Sequence, residues 1–186
     1  MGQFTEVLSR IHRDGTSPEA VNDLFDAAYG DLKDLARHRL RASGHHTLLD
    51  TTALVHESYL RFLKAGRIEV EDRARFMGYA ARVMRSVIVD FVRRRSAERR
   101  GGGDLHVTLD TEHENIAARE SEFLRLDDAL TELAAVDAQL VRITEMRFFA
   151  GLTVDEVAAT LALSPRTVAR EWEKARMILR DAIAGD

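Results

Sequence analysis

Apolar residues recur at helical spacing along most of this chain. The stripe over residues 4–11 predicts a short first helix, which Gly15 ends. Ser17 and Pro18 supply an N-cap and a first-turn proline for a second helix that continues to about residue 40. The same spacing predicts further helices at about 51–64, with Gly66 as a stop signal, and at about 73–99, 120–134 and 138–150.

The predicted fold class is all-α, with two small helical domains. Three consecutive glycines, Gly101–Gly103, interrupt the helical pattern, and an acidic stretch follows them. We therefore predict a first domain over 1–100, a flexible linker over 101–118 and a second domain over 119–186. Apolar residues make up 45% of the chain, which is enough for folded cores.

The second domain carries the pattern of a helix-turn-helix. Thr153 and Glu156 form a capping box for one short helix, which ends near Leu161. Ser164 and Pro165 then start a second helix after a turn of about three residues. Ala162 occupies the turn position where glycine is usual, at a cost of about 1 kcal/mol if that residue needs a positive φ.

The second helix of the motif has one apolar face and one basic face. Arg166, Arg170 and Lys174 fall on the outward stripe, flanked by Thr167. A helix of this kind enters the major groove with its N-terminal side chains at base edges. The alternative is an ordinary helical hairpin with a solvated charged face. The residues expected to face the core are Val168, Trp172, Ala175 and Leu179.

Charge is strongly segregated along the chain, although the net charge is −4. Residues 73–100 hold nine arginines and two acids, a balance of +7, whereas residues 104–132 hold nine acids and two arginines, a balance of −7. Residues 163–180 are basic again, with five cations and two acids, or +3. Two surfaces thus suit DNA phosphates. The acidic stretch between them is expected to cover one basic surface in the free protein, weakly and in a salt-sensitive way.

Other function classes receive little support. Cysteine is absent, which excludes disulfides and thiolate metal sites and fits a cytoplasmic protein. No apolar run approaches the length of a membrane span. His56 and Glu57 lack the second histidine of a zincin helix, and His38, His45 and His46 are interpreted as isolated solvated histidines. We expect no enzyme activity, no catalytic residue, no metal and no cofactor.

The order of these elements resembles the extracytoplasmic-function (ECF) sigma factors, with a region-two domain over about 18–100 and a region-four domain over about 120–183. The resemblance rests on three segments: TALVHESYLRFL from Thr52, RFMGYAARVM from Arg75, and the stretch from Arg147 to Arg176. It implies a promoter-specificity factor that binds core RNA polymerase through the clamp helices of the largest subunit. It also implies that the helix-turn-helix reads the −35 element through Arg166, Thr167, Arg170 and Lys174.

The resemblance places the −10 element on the long arginine-rich helix. Unpaired bases need stacking surfaces and a cationic track for the backbone. Tyr79 is the candidate for stacking, whereas Phe76 is interpreted as core. The expected −10 and backbone contacts are Arg75, Tyr79, Arg82, Arg85, Arg93, Arg94 and Arg95.

Polymerase docking is expected at the start of the helix at 51–64, through Asp50, Leu54, His56 and Glu57. Related factors usually carry three acids here, and two of them are missing from Asp50, Thr51, Thr52 and Ala53. A phosphate on Thr52, or on Thr51, would restore negative charge at a helix N-terminus. The alternative is that one of these threonines is merely an N-cap. A serine/threonine kinase or an anti-sigma factor is therefore a possible partner beside polymerase and promoter DNA.

A second reading of the chain is a helix-turn-helix regulator that is not a polymerase subunit. Such regulators are usually dimers on palindromes, whereas a sigma factor is expected to be a monomer on an asymmetric promoter. The two basic surfaces favour the sigma factor.

Overall fold

The protein is described by a computed structural model that covers residues 3–42, 49–65, 70–101 and 111–184. Every regular element in these ranges is helical, so the predicted all-α class is confirmed. Gly66, Gly102, Gly103, His45 and His46 lie outside the described residues. The helices are α1 (Gln3–Asp14), α2 (Pro18–Ala42), α3 (Thr51–Ala65), α4 (Arg73–Gly101), α5 (Thr111–Val136), α6 (Ala138–Thr144), α7 (Val154–Leu161) and α8 (Pro165–Ala184).

Helix boundaries follow the local signals in the sequence. Gly15 ends α1 with a positive φ of 88°, a conformation that glycine adopts without a steric cost. The hydroxyl of Ser17 accepts a hydrogen bond from the backbone N–H of Ala20 at 3.2 Å and so caps α2. Helix α5 begins at Thr111, within the range predicted as a linker. Alanine and glutamate favour a helix there, and acids are favourable near its N-terminus.

Helices α1 to α4 form the first half of the molecule around a cluster of aromatic rings. The rings of Phe25 and Phe62 lie 4.9 Å apart edge to face, and Phe76 lies 5.7 Å from Phe62. Phe76 is fully buried, as its position in the apolar stripe predicted. Aromatic pairs of this geometry add to the stabilisation from burial alone. The cluster fixes α4 against α2 and α3.

The C-terminal end of α6 widens into a π-helical turn over Glu145–Phe149. The N–H of Ala150 bonds the carbonyl of Glu145 at 2.8 Å, and Gly151 then takes a positive φ of 69°. This π turn packs on α4 at Gly78, where an added Cβ would lie 3.3 Å from two atoms of Met146. A side chain at residue 78 would therefore require the Met146 side chain to shift by a few tenths of an ångström.

The two halves of the chain are in direct contact. Buried apolar side chains of α1 to α4 and of α5 to α8 form one continuous cluster. Met146, Phe149 and Leu152 are the second half's buried apolar residues in and just after the π turn. The contact between the halves is therefore apolar as well as electrostatic, whereas the sequence predicted only a weak attraction of charges. No helix in the described ranges is long and apolar enough to cross a membrane.

Candidate nucleic-acid interface

The helix-turn-helix is formed by α7 and α8, and both helices start with the predicted caps. The N–H and hydroxyl of Thr153 donate to Oε2 of Glu156 at 2.7 and 2.9 Å, and the Thr153 hydroxyl accepts from the Glu156 N–H at 3.2 Å. These hydrogen bonds, the backbone one first, hold the pKa of Glu156 below its ordinary value. The hydroxyl of Ser164 accepts from the N–H of Thr167 at 3.0 Å.

The turn between the two helices requires a left-handed residue. Ala162 has φ 53° and ψ 43°, and among the non-glycine residues that the structure describes it alone has a positive φ. The following N–H, of Leu163, bonds the carbonyl of Ala158 at 2.9 Å. This bond closes the C-terminus of α7 and sets the direction of α8. The predicted strain at Ala162 is thus present.

Helix α8 presents its basic stripe to solvent. Arg166 is exposed, and the side chains of Arg170 and Lys174 are 74% and 53% exposed. Glu171 lies between them and pairs with Arg170 at 2.8 Å and with Lys174 at 4.0 Å. Lys174 also lies 3.6 Å from Asp137. Ion pairs of exposed cations contribute little to the free energy of folding. All three cations are therefore available to a DNA backbone or to base edges.

Two side chains of α8 differ from expectation in detail. Thr167 is half-buried, and its hydroxyl shares a hydrogen bond with that of Ser164 at 2.8 Å, so it takes part in the helix cap. Trp172 is only partly buried against the core. The other residues expected in the core, Val168, Ala175 and Leu179, are buried.

Several arginines of α4 lie on the side of the helix that meets the second half. Arg82 donates through Nε to Oε2 of Glu145 at 3.0 Å, and Arg85 approaches the other oxygen of Glu145 at 3.5 Å. Arg85 also pairs with Asp127 at 3.5 Å. Arg75 donates to the backbone carbonyl of Thr160 at 3.2 Å. These groups, expected at DNA, are engaged within the protein in this arrangement.

The C-terminal part of α4 meets the acidic residues of α5. Arg93 lies 3.5 Å from Asp127 and 3.2 Å from Asp128. Arg95 and Glu120 approach to 3.2 Å in a contact whose angles do not make a hydrogen bond. Glu120, Asp127 and Asp128, which belong to the acidic stretch predicted to cover a basic surface, thus contact α4. We call the contacts of Arg75, Arg82, Arg85, Arg93 and Arg95 with the second half the α4 seam.

Two other candidates on α4 lie differently. Arg94 is exposed, and its Nε donates to the carbonyl of Asp90 in its own helix at 3.4 Å. Tyr79 is half-buried, with its ring 4.9 Å from that of Phe62 in an edge-to-face contact. Tyr79 therefore offers a base only part of its ring in this arrangement.

The predicted polymerase-docking residues divide between surface and core. Asp50, His56 and Glu57 are exposed. Leu54 is fully buried beneath α3, so in this arrangement its side chain packs in the core and holds the helix in place. The exposed face of α3 is formed by residues one turn apart, which are Thr52, Ala53, His56, Glu57 and Leu60.

The N-cap of α3 is Asp50, not a threonine. Its Oδ1 accepts a hydrogen bond from the N–H of Ala53 at 2.8 Å, and its carbonyl accepts from Leu54 at 3.0 Å. Thr51 and Thr52 therefore occupy the first two positions of the helix, and Thr52 is exposed. The alternative in which a threonine caps this helix is wrong, because the Asp50 carboxylate already takes that role.

Sequence reasoning missed three residues that lie where the two halves meet. Glu145 lies outside the acidic stretch, and Phe149 and Arg39 each belonged to an ordinary helical pattern. The guanidinium of Arg39 lies 3.8 Å from the centre of the Phe149 ring. Nothing local in the sequence indicates this contact. In the part of the chain that is described, no group of three His, Cys, Asp or Glu side chains is placed to hold a metal.

The two helical halves are in contact, and the second half contains a capped helix-turn-helix, which is a motif typical of DNA-binding proteins. A model of the ECF sigma factor family matches residues 1–185, so this chain belongs to the ECF sigma factors. The family acts in transcription initiation and is not a family of enzymes. No curated protein and no solved structure matches the chain.

Proposed function

We propose that this chain binds core RNA polymerase and directs it to promoters through two DNA contacts. The observation that carries the proposal is the exposed basic stripe on α8, at the end of a helix-turn-helix whose caps and turn are complete. Arg166 and Arg170 read bases of the −35 element, Lys174 grips the backbone, and Thr167 supports the start of the helix. Family membership favours this function over a dimeric regulator that acts without polymerase.

The second DNA contact in this proposal is the basic face of α4. It uses Tyr79 for stacking and the arginines for the phosphate track near the −10 element. The division into domains over 1–100 and 119–186 is part of the same proposal, since the two contacts must separate to span a promoter. The arginines are Arg75, Arg82, Arg85, Arg93, Arg94 and Arg95.

Docking on polymerase is assigned to the exposed face of α3. Asp50 and Glu57 supply negative charge for basic clamp helices, and the neighbouring His56 is also exposed. Leu54 contributes by holding α3 in place. The partner proposed to add charge is a serine/threonine kinase that modifies Thr52, or Thr51, with an anti-sigma factor as the other candidate regulator. Support for Thr52 comes from its exposure and from the Asp50 cap, which leaves its hydroxyl without a capping role.

The test is reconstitution with purified core polymerase. We expect the chain to co-elute with the core enzyme as a monomer and to give transcripts that depend on a promoter fragment. Glu57→Lys reverses charge on the docking face and is expected to lower co-elution, whereas Glu132→Lys makes the same change on an exposed site of α5 and should not. Specific DNA binding by a dimer without polymerase binding would instead support the regulator.

A further inference from the structure

The basic face of α4 is closed by the π turn of the second half. Glu145 has only 4% of its side chain exposed, and it contacts both Arg82 and Arg85. Phe149, one π turn further along, is 1% exposed. The two residues together place a carboxylate and an aromatic ring against α2 and α4, so the second half makes a specific contact and does not merely lie near a basic surface.

Arg39 of α2 faces the same ring, and its guanidinium lacks some of its hydrogen-bond acceptors there. It is 1% exposed, and its Nε and one terminal nitrogen are buried without a hydrogen-bond acceptor. The guanidinium of Arg85 also approaches the Phe149 ring, at 5.7 Å. Burial lowers the pKa of Arg39 well below its ordinary value, the charge of Arg85 lowers it further, and Glu145 opposes the shift. A buried charge with unmet hydrogen bonds destabilises the state that buries it.

Some groups at this junction therefore stabilise the closed state, and others stabilise the open state. The ion pairs of Glu145, the ion pairs of Asp127 and Asp128 with α4, and the buried ring of Phe149 favour the closed state. The unmet donors of Arg39 favour an open state, in which water reaches that guanidinium. In the closed state Arg82, Arg85 and Arg93 each pair with a carboxylate of the second half, so these cations cannot serve a DNA phosphate at the same time.

We propose that the free protein is held inactive by its own second half, with Glu145 and Phe149 masking the α4 face, and that Arg39 keeps this closed state easy to open. The proposal rests on the proposed function in one respect, that the α4 face contacts DNA. The masking itself is a property of the free chain and is measured without polymerase.

The first measurement is the separation of the halves. The chain has no cysteine, so Ser9→Cys on α1 and Ala135→Cys on α5, both exposed, give a unique pair of dye positions in opposite halves. We expect energy transfer to fall in Glu145→Gln, which removes the carboxylate charge that pairs with both Arg82 and Arg85. Glu132→Gln is the control, because it removes the same charge from an exposed site on α5.

The opposite change is expected at Arg39. Arg39→Met keeps an unbranched apolar side chain against Phe149 and removes the unmet donors, so energy transfer should persist to higher salt than in the wild type. Arg37→Met removes the same charge from an exposed position of α2 and is expected to behave as the wild type. If one variant separates the two halves and the other keeps them together, a general loss of folding is excluded.

The second measurement is binding to a short mixed-sequence DNA duplex without polymerase. We expect Glu145→Gln to bind about tenfold more tightly than Glu132→Gln, the change that about 1.4 kcal/mol gives. The slope of log affinity against log salt should steepen by about 0.9 for each phosphate gained. Arg39→Met should bind more weakly than Arg37→Met.

Equal energy transfer in Glu145→Gln and Glu132→Gln would overturn the proposal, since the π turn would then not hold the halves together. A fall in energy transfer without tighter DNA binding would overturn the masking of a DNA surface. If both measurements change as expected but no variant directs transcription by core polymerase, the proposed function fails and the closed state stands.

Discussion

The guanidinium of Arg39 lies 3.8 Å from the centre of the Phe149 ring, and both side chains are buried. The two residues belong to opposite halves of the chain and meet where the π turn packs between α2 and α4. A cation over an aromatic face is attracted by the ring, but this does not replace the hydrogen bonds that the guanidinium loses. The contact therefore holds the two halves together, but the lost hydrogen bonds of the guanidinium lower the stability of the junction.

Removing the ring should test how much the junction contributes to stability. We expect Phe149→Ala to lower the free energy of unfolding by about 3–5 kcal/mol, because it leaves a cavity between the halves. Phe148→Ala is the neighbouring control, since that ring is 41% exposed, and its loss should cost about 1 kcal/mol or less. Urea unfolding followed by circular dichroism checks both. An equal cost for the two rings would contradict the assigned role of Phe149.

The turn of the helix-turn-helix predicts a stabilising substitution. Ala162→Gly should raise the free energy of unfolding by up to about 1 kcal/mol, because glycine adopts the left-handed conformation without a steric cost. The same substitution at Ala159, an exposed position inside α7, should lower it by about 1 kcal/mol. Opposite signs in thermal unfolding are the expected result, and a loss at both positions would show that Ala162 is not strained.

The capping box of α7 predicts a dependence on pH. Thr153→Ala should destabilise the protein by about 1 kcal/mol at neutral pH, whereas Thr131→Ala, whose hydroxyl bonds only its own helix, should cost less. The pKa of Glu156 is lowered in the folded state, so its contribution is present above the ordinary value of 4.5 and is lost as the pH falls through the folded value. Unfolding measured at a series of acid pH values should show the two variants converging.

The basic stripe on α8 predicts two kinds of effect on DNA binding. Replacing Arg166 or Arg170 with alanine should cost about 1–3 kcal/mol and relax the preference for particular −35 bases. Lys174→Ala should instead weaken binding evenly across sequences. Competition between DNA variants in binding assays separates the two effects. Equal and sequence-independent losses at all three residues would remove the assignment of base readers.

The N-terminus of α3 predicts a phosphorylation switch. A phosphate on Thr52 adds about −1.5 to −2 charges where the helix dipole favours them, and it should strengthen binding to core polymerase. Thr52→Glu should act in the same direction but less strongly, and Thr52→Ala should abolish the response to a kinase. Polymerase co-elution with and without a cognate serine/threonine kinase is the measurement. Equal binding and transcription by the unmodified and phosphorylated wild type would exclude the switch.

The sequence by itself determined the elements and the local chemistry of the helix-turn-helix. The capping box at Thr153, the cap at Ser164 and the left-handed turn at Ala162 were all predicted, and each is present. These features depend on residues three or four positions apart, so the spacing of residue types is enough to predict them. The exposed stripe on α8 follows from the same periodicity.

Only the tertiary structure decided which charged groups are free. Arg82 and Glu145 are 63 positions apart, and Arg85 and Arg94 look alike in the sequence although one is engaged at the seam and the other is exposed. Leu54 was expected at a partner and is buried in the core, and Asp50 forms the cap for which a threonine was the alternative candidate. Contacts between distant segments depend on how whole helices pack, and periodicity within one helix carries no information about the helix that will face it.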